Sequence, residues 1–543
     1  MRRVEIFDST LRDGAQGEGI SFSVRDKLNI VRALDNFGIS YIEAGNPGSN
    51  PKDIEFFERA GELDLKSAQL CAFGSTRRIH LDVEQDENVV SLLRAKTPVV
   101  SIFGKAWDLH VTAILKATLE QNIQAVGDTL AFFKSHGKQV VFDAEHFFDG
   151  YAANESYAMQ VLSAARASGA DVLCLCDTNG GTHPDEIARI CAEVCAAFLD
   201  LRVGIHCHDD IGCAVANSLL AVEAGISHVQ GTFAGFGERC GNADLSVIIP
   251  SLQLKRGYDC IGDRMEQLTS TAYRIADIAN MRVRNDKAYV GRSAFAHKGG
   301  MHVDGVSKLS SSFEHINPEA VGNDRRFLAS EVSGRTTVLA KIGAIVPELT
   351  KKSPKTSEIL EKLKELEHQG YQFEAADASF EMMVLRVLGK FKPHFSLILY
   401  KTTGEYPAPD GSLSASAMIQ VKVGGRTEMA AALGAGPVHA LDRALRKALQ
   451  VFYPQVANMH LTDYKVRVLG TEDATAAKVR VLIESSDGEQ AWTTVGVSQD
   501  IIEASWQALS DSIEYKLTMD EMRKGGLPDG DDHDAKNNCG PQR

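Results

Sequence analysis

The sequence predicts an α/β protein: a closed (β/α)8 TIM barrel followed by a helical subdomain and a C-terminal α+β domain. Three observations predict it. Over roughly the first 250 residues, eight short β-branched or apolar runs alternate with amphipathic helical stretches. Nearly every run ends in polar, chemically capable side chains. Beyond residue 390 the rhythm changes to sets of strands, each set followed by a helix. Alternating strand and helix argues a parallel sheet with right-handed crossovers, and eight units of this size suit a closed barrel.

The runs are Val4–Asp8, Ile39–Glu43, Ala68–Phe73, Pro98–Phe103, Gln139–Asp143, Asp171–Cys176, Arg202–His206 and Ser227–Thr232. Ser23 is placed to cap a helix with Val24, Leu28, Val31 and Leu34 on one face and Gly38 just past its end. An open doubly wound sheet would announce itself with a Gly-rich turn after the first strand; here that turn reads Ser9-Thr10-Leu11-Arg12-Asp13-Gly14. The catalytic barrel is assigned to residues 1–265 and helical linker subdomains to 266–390, with Lys351–His368 a charged, solvated helix or connector. An α+β domain spans 391–520. Its strands are His394–Tyr400, Ser414–Val423, Asp463–Val468, Lys478–Glu484 and Ala491–Val497, and its helices Gly436–Val451 and Ile501–Leu517. It is poor in clustered His, Cys and acidic residues, which points to regulation or assembly. The Gly/Asp/Asn-rich end, 521–543, reads as a disordered tail.

With 543 residues the chain is too long for one ordinary domain. Its net charge of −14 argues against nucleic-acid binding, which needs a basic face. No apolar run reaches the ~18 residues that would span a membrane, and Met1–Asp8 lacks the apolar core of a signal peptide. The ten cysteines are scattered, and Cys174, Cys176, Cys191 and Cys195 fall in apolar segments. They read as buried thiols of a reduced, cytoplasmic protein, with the Cys174/Cys176 pair pointing to one face of its strand.

Barrel active sites sit at the C-terminal ends of the strands. The groups falling there are Asp8, Arg12 and Asp13 after the first run, Glu43 at the end of the second, Asp143, Glu145 and His146 at the fifth, Asp177 and Thr178 at the sixth, His206 and His208 at the seventh, and Gly235–Asn242 after the eighth. Residues i and i+2 of a strand face the same way, so His206 and His208 can reach one ion. Asp13 and Asn242 on the same rim would complete an oxygen/nitrogen set suited to Zn²⁺, Mn²⁺, Co²⁺ or Fe²⁺, with Mg²⁺ less typical. Arg12 offers a guanidinium fork for a carboxylate or oxyanion. Glu43 and Glu145 are general bases or carboxylates that orient ligands. Thr178 either contacts a substrate carboxylate or caps a helix. The Gly-x-Gly-x-x-x-Gly loop after the eighth run has the wrong spacing and place for dinucleotide binding.

Together these segments resemble the metal-dependent carbon–carbon bond-forming family of isopropylmalate, homocitrate and citramalate synthases. The resemblance is carried by Ser9–Gly14, His206–Gly212, Gly237–Asn242 and Ala294–His302, and in the last domain by Gly436–Leu441. Glu43–Asn50 and Tyr371–Asp377 look most like the citramalate branch. The resemblance implies metal ligands Asp13, His206, His208 and Asn242, a divalent metal (Mg, Mn, Co or Zn), and acetyl-CoA as co-substrate. It implies Arg12, Thr178 and Glu43 as substrate contacts and Arg12, Glu145 and His302 as catalytic residues, with His302 delivered by the partner of a homodimer. It further implies pyruvate as acceptor, an allosteric amino-acid effector such as isoleucine, and a place in isoleucine biosynthesis. Two departures stand out: Asp209 follows the second histidine where relatives often carry Asn, and Phe313 falls where some relatives carry a catalytic tyrosine. The same chemistry on 2-oxoisovalerate, a cleavage-direction lyase and a non-catalytic metabolite sensor are the competing readings.

Overall fold

The computed structural model describes residues 2–48, 50–328, 335–342, 346, 349–350, 352–407, 413–469, 477–488 and 490–525. The chain forms two compact units, Met1–Phe295 with Glu314–Arg325, and Ala296–Phe313 with Arg326–Arg543.

The first unit is a closed barrel of eight parallel strands: β1 (Glu5–Asp8), β2 (Tyr41–Glu43), β3 (Gln69–Ser75), β4 (Val99–Lys105), β5 (Gln139–Glu145), β6 (Val172–Asp177), β7 (Arg202–Cys207) and β8 (His228–Gly231). β8 closes on β1 in the register Glu5↔His228 to Asp8↔Gly231. Side chains alternate between the two faces of a strand. Phe7, Tyr41, Cys71, Val99, Val141, Val172, Cys174 and Cys176 therefore meet in the interior, while alternate residues such as Ile42, Val100 and Leu173 pack outward in the larger core. Both thiols of the Cys174/Cys176 pair face inward, and the nine cysteines among the described residues are all unpaired.

The helix Val24–Phe37 shows how local sequence fixes each crossover. The Ser23 side chain accepts from the Asp26 amide, and the Asp26 carboxylate accepts from the Ser23 amide at 2.8 Å, a reciprocal cap. Val24, Leu28, Val31 and Leu34 are buried. Gly38 ends the helix at φ 100°, a left-handed conformation that glycine adopts without a Cβ penalty.

In the second unit, β9 (Ala296–His297) pairs in parallel with β10 (Arg326–Phe327). Helices follow at Gly300–Lys308, Arg335–Ile342, Pro354–His368 and Asp377–Val387. The charged helix Pro354–His368 is not wholly solvated, since Thr356, Ile359 and Leu363 are buried. Two three-stranded antiparallel sheets complete the unit. One holds β11 (Ser396–Gly404), β12 (Ala415–Val423) and β13 (Arg426–Gly434); the other holds β14 (His460–Leu469), β15 (Lys478–Ser486) and β16 (Ala491–Ser498). The helix Pro437–Leu449 follows the first sheet and Ile501–Gly525 the second.

β13 is absent from the sequence expectation. Its Arg-Thr-Glu-Met-Ala-Ala-Ala-Leu-Gly carries residues that favour helices, but the Gly424–Gly425 turn folds it back on β12 in continuous register, and that pairing overrides propensity. The last helix runs to Gly525, past the expected start of the tail at 521; residues 526–543 lie outside the described residues. No described helix is long and apolar enough to cross a membrane.

Candidate active site at the barrel mouth

The C-terminal strand ends converge on a pocket of 230 Å³. Asp8 ends β1 and is buried; it accepts from the amide and hydroxyl of Thr10 at 3.0 and 2.9 Å, and its burial pushes the carboxyl up to about 7. The chain turns tightly after it, with the Arg12 and Gly14 amides donating to the Ser9 carbonyl. That turn carries Arg12 and Asp13 to the pocket wall.

Asp13, His206 and His208 are buried and place one donor atom each within 4.8 Å of the others. Asp13 Oδ2 lies 3.5 Å from His206 Nε2 and 3.9 Å from His208 Nε2. An ion with donors at about 2.1 Å separates neighbouring donors by roughly 3.0–3.5 Å, so this cradle fits a divalent metal with small adjustment. Burial opposes ionisation of Asp13, but Arg12 and the two histidines outweigh it and hold the carboxyl at about 2. Burial, and then His206, depress His208 to about 4. An ionised carboxylate and a neutral imidazole are the forms that ligate metal.

Asn242 joins this group through a loop that glycine makes feasible. Gly241 adopts φ 93°, and a Cβ there would lie 2.1 Å from the Gly235 carbonyl oxygen. The Asn242 Nδ2 donates to Asp13 Oδ1 at 3.3 Å and to the Phe236 carbonyl at 3.0 Å, while its Oδ1 is buried without a hydrogen-bond partner. An orphaned buried oxygen beside the cradle fits a ligand or a ligand-bound water.

Arg12 donates from Nε to Glu43 at 2.6 Å and from Nη1 to Asp13 at 3.0 Å. Burial disfavours its charge, but Glu43, Asp13 and Asp143 outweigh that and hold the guanidinium protonated. Its planar head lies over Phe73, which stacks on Phe103; both rings line the pocket. Glu43 is fully buried, and its Oε2 accepts from Arg12 and from the Ser9 hydroxyl. It sits behind Arg12 and off the pocket wall, so its contacts as the chain stands are to Arg12 and Ser9 and not to a pocket occupant.

Glu145 ends β5, lines the pocket and pairs with Lys105 of β4. Thr178 lines it as well; its hydroxyl accepts from the amide of His146, the N-cap residue of the helix Phe147–Ala167, at 2.8 Å, and the N-cap of the helix following Thr178 is His183. Arg239, on the rim in the sequence but given no role there, pins the β8 loop by donating to Asp210 at 2.7 and 3.0 Å and to the Thr178 carbonyl at 2.8 Å. His302 belongs to the second unit, on the helix Gly300–Lys308, where it stacks on Phe313 with ring centroids 4.5 Å apart. Phe73 and Phe103 were also missed, because a phenylalanine ending an apolar run reads as core; only its place at a strand's C-terminal end marks it as a wall.

Family comparisons agree with this architecture. The HMGL-like family model matches residues 3–281, a homocitrate synthase post-HMGL domain-like model 289–371, and a LeuA allosteric (dimerisation) domain model 374–517. The chain is 51% identical to an (R)-citramalate synthase of Aquifex aeolicus over 96% of this chain and 98% of that one. It is 49% identical to an (R)-citramalate synthase of Geobacter sulfurreducens over 97% and 99%. A probable 2-isopropylmalate synthase of Methanopyrus kandleri is 33% identical over 93% and 97%.

Proposed function

The chain belongs to the HMGL-like family, and we propose that it condenses acetyl-CoA with pyruvate and water to give (R)-citramalate and CoA. The observation that carries this reading is 51% identity along nearly the whole of both chains with a relative of that name. The barrel-mouth cradle supplies the chemistry such a reaction needs.

Asp13, His206 and His208, with Asn242 beside them, would hold a divalent ion (Mg, Mn, Co or Zn), which would supply Lewis acidity for the 2-oxo group. Arg12 has donors left beyond Glu43 and Asp13, and these meet the substrate carboxylate or the oxyanion that develops at C2. Glu43 acts through Arg12, fixing its plane. The Thr178 hydroxyl contacts the pyruvate carboxylate. Glu145 takes a proton from the acetyl methyl group, and the enolate so formed attacks C2 of pyruvate. The C2 oxygen then takes up a proton, and water cleaves the thioester to release the CoA thiol and a second carboxylate. His302 assists as a catalytic residue contributed by a second copy in a homodimer. Phe313 has no hydroxyl, so no step is assigned to it.

The second reading is condensation with 2-oxoisovalerate, favoured by the match to the Methanopyrus protein. In the second unit, a pocket of 490 Å³ lined by Pro437, Val438, Leu461 and Ile502, with His439 and Asp442 on its wall, offers apolar contacts to an aliphatic side chain and polar groups to the charged ends of an amino acid. We assign isoleucine feedback there, in keeping with a cytoplasmic enzyme of isoleucine biosynthesis.

Thiol release from acetyl-CoA, with and without chelator, tests the assignment. Metal-dependent release with pyruvate and little with 2-oxoisovalerate is expected. Preference for 2-oxoisovalerate would move the enzyme to the second reading, and no release with either would end both.

A further inference from the structure

From His206 a line of buried polar groups runs across the barrel through Gln230 and Ser101, which the proposed mechanism does not use, and Asp143, which also lines the pocket. His206 Nδ1 lies 2.8 Å from Gln230 Oε1 on β8, Gln230 Nε2 donates to Asp143 Oδ1 on β5 at 2.9 Å, and the Ser101 hydroxyl on β4 donates to Asp143 Oδ2 at 2.5 Å. All four residues are buried. The line crosses the barrel interior from β7 through β8 and β5 to β4.

Its direction is fixed by chemistry. His206 turns Nε2 toward Asp13, so its ligating lone pair must be there and its proton on Nδ1. That proton needs an acceptor, and Gln230 supplies one only when its amide oxygen faces the ring. The flipped amide would set its oxygen against the Asp143 carboxylate and its NH2 against the Nδ1–H, losing both bonds. Two donors converge on Asp143, Ser101 on Oδ2 and Gln230 on Oδ1, so each of its oxygens accepts. Asp143, accepting from both, thus orients Gln230, and Gln230 selects the tautomer of His206. Hydrogen bonding to the far nitrogen of a ligating histidine sets its orientation and raises its basicity, and loss of such a partner typically costs about 10–100-fold in metal affinity.

We propose that Asp143 and Gln230 are positioning residues that preset His206 as a metal ligand. This goes beyond the proposed function but rests on its reading of His206 as a ligand. The second cluster with metal-compatible spacing, Asp143 with Cys174 and Cys176, then needs no ion. Its carboxylate is already engaged, and burial pushes the Cys174 thiol far above its ordinary value.

The test uses the full-length protein stripped of metal and titrated with Co²⁺ against a chromogenic chelator, with the absorption bands of the Co²⁺ form recorded. Wild type, Asp143→Asn, Gln230→Leu and Thr178→Ala are compared, each checked for an unchanged far-UV spectrum. The expectation is about 10–100-fold weaker Co²⁺ binding for Asp143→Asn and Gln230→Leu with shifted bands, and wild-type affinity for Thr178→Ala. Should one of the two variants fail to fold, the other carries the test. Folded variants with wild-type affinity and bands overturn the relay alone. Wild type that binds no Co²⁺ overturns the metal reading and the relay with it.

Discussion

The guanidinium carbon of Arg12 lies 3.8 Å from the centroid of Phe73, and that ring stacks on Phe103 at 5.2 Å. The Arg12 guanidinium therefore rests on an aromatic wall that also bounds the pocket. Phe103→Ala widens the pocket without removing the support beneath Arg12. An isopropyl group exceeds a methyl by about two methylene equivalents, roughly a 10²-fold discrimination by packing. The variant should narrow the preference in kcat/KM for pyruvate over 2-oxoisovalerate by about tenfold or more. An unchanged ratio would remove Phe103 from the specificity wall.

Arg12→Ala should lower kcat by about 10²–10³-fold, the usual cost of losing one donor to a developing oxyanion. Bound metal, read by elemental analysis, should stay near wild type, because Asp13, His206 and His208 remain. Arg12→Lys should recover little, since an ammonium cannot bridge Glu43 and Asp13 as the fork does.

Chelation should abolish thiol release and lower the melting temperature of the barrel unit, and both should return on adding back the ion. At a free concentration 100 times Kd, a bound ion stabilises the folded state by about 2.7 kcal/mol. A chelator that stops activity but leaves the melting curve in place would mean that the ion enters with the substrate.

The second unit carries its own pH dependence. His394 Nδ1 lies 2.7 Å from Glu514 Oε2, and its Nε2 lies 3.2 Å from Glu521. Burial disfavours the charged ring, but the hydrogen bond and charge of Glu514, with Glu521, outweigh it and raise the imidazole above its ordinary value. A raised folded-state value means stability fully present below the unfolded value of about 6.5 and lost as pH rises through the folded value. Glu514→Gln should therefore destabilise the unit most below about pH 6.5, and the gap from wild type should close at alkaline pH. Calorimetric melting across that range measures it; a gap independent of pH would assign the loss to the His394 and Phe395 amides that Glu514 also accepts.

The barrel was legible because its signal is local and repeated: each run has its own turn and its own helix. The clustering of the candidate donors was legible for a related reason. Asp13, His206 and His208 each sit at or just past a strand end, and topology alone brings strand ends together. β13 was not legible, because its alanines say helix and only β12 says otherwise. Glu43 was placed correctly at a strand end, but its depth behind Arg12 depends on the Ser9 turn, which no spacing rule reports. Gln230 gave one usable sign, an amide side chain in the middle of a buried run. What it was for depended on Asp143 and Ser101 in other strands.

Asp13 and Asn242, which touch across the cradle, are 229 positions apart, and β1 finds its second neighbour only in β8. During synthesis the first strand must wait, with one edge unsatisfied, until the eighth leaves the ribosome. No earlier fragment can hold the three-donor cradle, since His206 and His208 emerge nearly as late. Retention of an ion by those three donors would therefore report that the ends of β1 and β7 have already met.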